Sequence, residues 1–326
     1  MVIFTQLAIL FISTAHAETN FNISTGFSYI NQQNLQSSQA ANTAGTVTTD
    51  RTGWLVGGRW DWQQLDARGG YSLTAQASLD KGLSGAGNIR SLGLNGAWMH
   101  ALNANWLTRF NLKISDYQDD DQPAYNNQAA GAGLTLGWFG KQNTGLDINV
   151  AWQQEQYEDD PSMAYEADRF TFGGRYYFAH QRNRPYWSLG TELSRFDSDK
   201  IARYSYNSAR LNLAYNDWHW KEIEGNLLLS WCINQFDETL TISSPMNNNT
   251  GIPVGVDSGM NGISPPPPNI QSSTQKDSYL TTSLDLRYPL NKQSHLVSNL
   301  NIGQYRSNLA EDRPLLSAYL GIGIKY

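Results

Sequence analysis

The sequence predicts an all-β chain: a transmembrane antiparallel up-and-down β-barrel of about 14 strands, preceded by a cleaved signal peptide. Three observations predict it. Apolar and polar residues alternate with period two, interrupted at intervals by turn residues, the pattern of strands with two unlike faces. Aromatic residues reach 12%, including 11 Trp and 17 Tyr, while mean hydropathy is only −0.49, so apolar surface is spread along many half-polar segments. No run of about 18 apolar residues, the length a helical span needs, occurs beyond the first turns of the chain.

The elements follow in order. Val2, Ile3, Phe4 and residues 7–12 form a short apolar core, and Ala15-His16-Ala17 satisfies the small-x-small cleavage rule. Residues 1–17 are therefore expected to be a signal peptide and 18–326 the barrel, with the mature chain starting at Glu18. No Lys or Arg precedes the apolar run, so either the free amine supplies the charge or translation starts upstream. The barrel strands are expected at residues 20–31, 52–63, 70–80, 89–99, 106–116, 129–140, 146–155, 168–179, 186–196, 204–215, 219–235, 277–288, 294–305 and 315–326. Short turns follow every even strand, at 65–69, 103–105, 141–145, 181–185, 216–218 and 291–293. Most longer connections follow odd strands: 32–50, 117–127, 157–167 and the long loop 237–276. An even strand count with short turns on one side and longer loops on the other is the asymmetry of a membrane barrel.

Within strands, charge falls opposite the apolar row. Phe110, Leu112 and Ile114 alternate with Arg109 and Lys113; Leu146, Ile148 and Val150 alternate with Asp147. A charge on the lipid side would cost about 2–4 kcal/mol at the midplane, so the charged face is expected to point inward. The expected lumen-lining residues are Arg59, Asp61, Arg109, Lys113, Asp147, Arg175, Glu192, Arg210, Glu222, Glu224, Asp285 and Arg287. A turn near Asp217 would set Arg210 opposite Glu224. Trp54, Trp60, Trp62, Trp106, Trp138, Trp152, Trp187, Trp218, Trp220 and Tyr288 are expected on the outer face as membrane-girdle residues, where an amphipathic ring suits the headgroup region. The single cysteine, Cys232, reads as a small buried strand residue.

Fourteen strands spaced about 4.8 Å apart and tilted about 40° give a backbone diameter of roughly 27 Å and a passage of about 10 Å. Loop 237–276 combines Pro265–268 with Ile252, Val254, Val256, Met260 and Ile263; it is either a solvated loop or a constriction or partner contact at the mouth. The acidic runs 119–121 and 158–160 are expected at that mouth, as a solvated surface or as a cation-attracting field. No metal-ligand spacing and no catalytic constellation stands out. Asp217-Trp218-His219 has an Asp-x-His spacing but falls in a turn at the short-turn side, and no His is followed two residues on by Ser. No enzyme activity, cofactor, metal or nucleic-acid partner is expected.

The last strand alternates cleanly, with Leu320, Ile322, Ile324 and Tyr326 on one face. An alternating final strand ending in an aromatic, together with the signal peptide, alternating strands and strand-end aromatics, resembles Gram-negative outer-membrane β-barrels of the porin type; those usually end in Phe, and this chain ends in Tyr. The resemblance implies residence in the outer membrane among lipid and lipopolysaccharide, insertion by the barrel-assembly machinery through that strand, and passive passage of small hydrophilic solutes. The alternatives are a barrel component of a polysaccharide or surface-lipoprotein export system with a periplasmic partner, or a receptor or adhesin using loop 237–276.

Overall fold

The computed structural model describes residues 17–30, 51–66, 68–83, 85–121, 123, 126–140, 143–157, 165–178, 184–199, 205–243, 270–308 and 312–325. Among them run fourteen strands: β1 Ala17–Ile30, β2 Arg51–Asp66, β3 Gly69–Gly82, β4 Asn88–Ala101, β5 Trp106–Asp119, β6 Asn127–Phe139, β7 Gly145–Tyr157, β8 Tyr165–Phe178, β9 Tyr186–Ser198, β10 Tyr206–Trp220, β11 Ile223–Ser243, β12 Ile270–Pro289, β13 Ser294–Ser307 and β14 Arg313–Lys325. Each pairs antiparallel with its sequence neighbours, and β1 closes onto β14 from Asn22↔Lys325 to Ile30↔Ser317. Closure pairs every strand on both sides and leaves no edge, which is what a sheet surrounded by lipid requires.

The short turns show why the chain reverses where it does. Asp66 Oδ1 accepts from the amides of Arg68 (2.7 Å) and Gly69 (3.0 Å). Asn103 Oδ1 accepts from Asn105 (2.9 Å) and Trp106 (3.1 Å), and Asn291 Oδ1 from Gln293 (2.8 Å) and Ser294 (2.7 Å). In all three a short side chain folds back on the backbone ahead of it, the property that makes Asp and Asn turn formers. Gly69 and Gly70 take φ of 140° and 149°, with neighbouring backbone where a Cβ would lie, so this corner admits only glycine without strain.

The strand count agrees with the alternation, and most strands extend a few residues past their expected ends. Two corrections matter. The turn expected at 216–218 is a β-bulge: Asp217 adopts φ 53°, its amide donates to Asn226 Oδ1 at 2.9 Å, and the register shifts between Tyr215 and Trp218. The strand then continues to Trp220 and reverses at Lys221 (φ 57°) and Glu222. Asn-Asp chemistry is thus used inside a strand. Because the true centre of the hairpin lies further on, Arg210 faces Cys232 and not Glu224. The second correction concerns the expected loop 237–276. Thr239–Ser243 pair with Ile270–Thr274, extending β11 and β12 beyond a register shift after Gln235. Thr239, Thr241 and Ile242 are β-branched, which favours the strand conformation here. The remainder, 244–269, lies outside the described residues, as do 1–16 of the expected signal peptide, 31–50, 158–164 and Tyr326; Ala17 opens β1.

Candidate permeation path

The two faces of the wall are easily told apart. One carries Phe27, Trp54, Val56, Leu92, Phe110, Leu112, Val150, Phe172, Leu193, Leu213, Ile302, Leu320 and Ile322, all exposed. Exposed apolar side chains encircling a closed barrel form a surface suited to lipid and not to water. The other face is polar, and it is the concave one. Ser28 of β1 donates to Asp80 of β3 at 2.7 Å, and the rings of Tyr157 on β7 and Phe196 on β9 lie 6.4 Å apart, each contact reaching past an intervening strand. Closure, the apolar girdle and the turn asymmetry together are those of a transmembrane barrel of the outer-membrane type.

By register, Arg59, Asp61, Arg109, Lys113, Asp147, Arg175, Glu192, Arg210, Glu224, Asp285 and Arg287 all fall on the interior face. Glu222 does not: it sits in the β10–β11 turn and accepts a hydrogen bond from Tyr288 on the outer face. Asp61, Arg109, Asp147, Arg175, Glu224, Asp285 and Arg287 lie nearer the short turns, Arg59, Lys113 and Glu192 at mid-strand, and Arg210 nearer the long-loop end opposite Cys232; most of them are open to water. Arg59 bridges Asp61 two residues along the same strand at 2.8 Å, and Thr74 donates to Asp61 at 2.8 Å. Arg210 reaches Glu192 across the β9–β10 ladder at 3.7 Å. Tyr177 donates to Asp147 at 2.7 Å, Asn299 to Asp285 at 2.5 Å, and Arg287 contacts His295 at 3.1 Å. Arg109 and Lys113, both exposed, have no carboxylate partner among the described residues. Ala97, Ser188 and His295 are buried within this otherwise wet region.

Toward the long-loop end the interior changes character. Buried interior positions follow one another around the wall: Arg51, Asp80, Asp119, Ala129, then Tyr157, Tyr165, Phe196, Tyr206 and Phe236, then Asp277, Tyr305 and Leu315. The middle stretch is an aromatic arc. Tyr157 and Tyr165 stack with centroids 4.6 Å apart, Phe196 and Tyr206 stack at 5.1 Å, and Phe236 follows at 5.3 Å from Tyr206. Tyr279 and Tyr305 pair on the next strands at 5.1 Å. Arg169 pins the arc from below: it bridges Glu155 at 2.7 Å, donates to Tyr206 Oη at 3.3 Å and lies 5.0 Å over the Phe196 ring. Tyr157 donates to the same Glu155 at 2.5 Å. Cys232, buried at the lower edge of the arc, contacts Ser208 at 3.3 Å.

The acidic run 119–121 is bonded to neighbouring connections, with Asp119 buried and Asp120 and Asp121 exposed. Asp121 accepts from the Gly87 amide at 2.8 Å and bridges Arg51 at 3.0 Å, and Asp119 accepts from the Asp121 amide at 2.9 Å. Arg51 in turn donates to the Asp80 carbonyl at 3.0 Å. Hydrogen bonds from the Asn88 backbone and side-chain amides hold the Asp120 carboxyl below the usual carboxylate range. The run clasps the β3–β4 and β5–β6 connections together.

On the outer face, Trp54, Trp60, Trp62, Trp106, Trp138, Trp152 and Trp187 share the side of the apolar row. Trp106 opens β5 opposite Trp138, and Trp187 stacks on Tyr215 at 4.7 Å, forming a belt at the short-turn end. Trp218 covers Gly225, where any Cβ would meet its indole, and Trp220 is exposed beside Lys221. Trp60 lies deeper within β2 than a belt position. Near the loop end, Trp152 donates its indole N–H to Asp168 at 2.9 Å and Trp54 meets Phe27 edge-on at 4.5 Å. Trp231, absent from the expected girdle, donates to Ser278 at 3.1 Å in the same manner.

The aromatic arc was also missed. Its signal was present: Phe196 follows Glu192 and Ser194 on the polar parity, and Phe236 follows Cys232 and Asn234. An aromatic on the polar face near a strand end is the mark of it.

No family model matches the sequence, and no curated protein matches it. Solved structures do. The chain is similar to a bacterial polysaccharide outer membrane secretin at 8% identity, over 96% of this chain and 100% of that one, with a TM-score of 0.47. It is similar to OccAB3 of Acinetobacter baumannii at 8% identity, over 96% and 100%, TM-score 0.42. A BenF-like porin from Pseudomonas fluorescens shows 10% identity over 96% and 99%, TM-score 0.41. The likeness is loose at these scores, and the fold stands on the strand register itself.

Proposed function

We propose that the chain is an outer-membrane channel for the passive passage of small hydrophilic solutes. One observation supports the reading: the interior from the short turns to mid-barrel presents water-exposed side chains of both signs, and no described element crosses it. A wall built only to be packed would have no use for exposed Arg109, Lys113, Arg175 and Asp285. Cross-strand ion pairs keep such a wall in shape while leaving its surface hydrated. The reading involves no catalytic step, cofactor or metal. Its partners are membrane lipid and lipopolysaccharide around the girdle, the assembly machinery at the final strand, and the solute.

The packed loop-end half favours a second reading, a barrel shut at rest, such as an export component awaiting a periplasmic partner or a surface receptor. Swelling of proteoliposomes in uncharged sugars of increasing size separates the two. Swelling by the smallest sugars, fading as size grows, is the expected result. A barrel that is folded, silent to every solute, and opened only by deleting residues 246–271 would move the function to the second reading.

A further inference from the structure

We propose that the outer wall at the loop end carries, on strands β11 to β13, a binding site for lipid A, the phosphorylated glycolipid of the outer leaflet. The site is independent of what passes through the lumen. Trp231, Ser278, Leu280, Gln304 and Arg306 line a groove of about 400 Å³. By register all five point away from the lumen: Trp231 faces Leu280, Leu280 faces Gln304, and Ser278 faces Arg306. The groove is accessible, with Trp231 46% and Leu280 48% exposed. Trp231 donates its indole N–H to Ser278 at 3.1 Å, which fixes the ring as one wall. Ile302, also exposed, continues the apolar floor toward the girdle.

The rim is cationic. Arg306 is exposed, and exposed Lys276 is its diagonal neighbour across the β12–β13 ladder, a backbone spacing of about 7–8 Å. Two long cationic side chains at that spacing can close on one phosphate. Arg306 donates to Gln304 at 3.0 Å and lies 3.8 Å from Asp312. Both members of that ion pair are exposed, so it is weak, and a phosphate that takes the guanidinium through two hydrogen bonds displaces it. Other outward charges near the loop end are arranged differently. On β8 to β11 they are mainly acidic, namely Glu166, Asp168, Asp197 and Asp237, and Arg195 is shared by Asp197 at 3.2 Å and Asp237 at 2.7 Å. On β4, Arg90 is held by Asp120, whose carboxylate also accepts twice from Asn88. The groove thus joins an apolar floor to a cationic rim on the side of the longer loops, where the outer leaflet lies. A soluble anion gains nothing from a floor that faces hydrocarbon, and a neutral lipid gains nothing from Lys276 and Arg306. An anionic lipid matches both, and lipid A is the anionic lipid of that leaflet.

Native mass spectrometry of the folded mature chain in detergent, titrated with lipid A, tests the site. Each variant is first checked for folding by heat-modifiable migration. The parent is expected to hold one lipid A tightly. Losing the charge-assisted hydrogen bonds in Lys276→Ala/Arg306→Ala is expected to weaken that binding about tenfold. Lys81→Ala/Arg90→Ala, which removes outward cations on β3 and β4, is expected to leave it unchanged. Lipid A stripped of its phosphates is expected to bind the parent as weakly as lipid A binds the Lys276 and Arg306 double variant, a comparison that needs no mutation. Equal binding by the parent and that variant, or equal losses in the two double variants, overturns the proposal. So does undiminished binding of the dephosphorylated lipid, or displacement of lipid A by an equal concentration of phosphatidylglycerol.

Discussion

The two halves of the barrel interior use the same backbone for opposite ends. From the short turns to mid-barrel the inward residues include Arg59, Asp61, Arg109, Lys113, Arg175 and Glu192, with pairs such as Arg59–Asp61 at 2.8 Å still reached by water. Near the long loops the inward residues include rings packed with centroids 4.6–5.3 Å apart and polar groups sealed among themselves, such as Glu155 with Arg169 and Tyr157. The first half resembles a protein surface and the second a protein core. The difference teaches that interior parity in a barrel says which way a side chain points and leaves open whether water meets it there. What decides is the residue type chosen at each level.

The largest effect expected from this contrast is on stability. Phe196→Ala removes a fully buried ring and should cost about 3–5 kcal/mol, the range for an aromatic truncated in a packed core. Gln76→Ala, on the exposed interior face opposite Arg59, should stay within about 0.5 kcal/mol. Denaturant unfolding in lipid vesicles reads both, and equal costs would erase the distinction between the halves.

A smaller effect is expected on selectivity. Replacing the cations that have no carboxylate partner among the described residues, Arg109→Ser with Lys113→Ser, should shift the reversal potential toward cations. Arg59→Ser should shift it less, because Asp61 at 2.8 Å already offsets that charge locally. A shift from Arg59→Ser as large as that from the Arg109 and Lys113 pair would show that pairing does not matter to the permeating ion.

Much of this molecule was legible in the sequence, and for definite reasons. A period-two pattern with charge opposite the apolar row leaves only one orientation for each strand once lipid is outside, so the faces of Arg109, Lys113, Asp147 and Arg175 followed from neighbouring residues alone. Asx turns at Asp66, Asn103 and Asn291 marked reversals because the chemistry is local. The β10–β11 reversal was misread because the same local chemistry serves a bulge: Asn216-Asp217 bends the strand, and only the pairing of Trp218 with Gly225 shows that it continues. Glu222 was misplaced by that error. The arc was legible only in part: parity puts Phe196 and Phe236 inside but does not give their contacts. Tyr157, Tyr165, Phe196, Tyr206 and Phe236 come from five strands, and their stacking depends on closure and shear, which no single segment encodes. The contact of the acidic run with Arg51 was out of reach likewise, since Arg51 lies 70 residues from its partner Asp121.

The most direct test of the two-part interior is thiol accessibility in the intact, folded barrel. A charged maleimide is applied to the parent chain, which has Cys232 alone, and to a chain carrying Gln76→Cys with Cys232→Ser. Rapid reaction at position 76 with slow reaction at Cys232 is the predicted result. Comparable rates at both would contradict a wet region and a dry region of the interior.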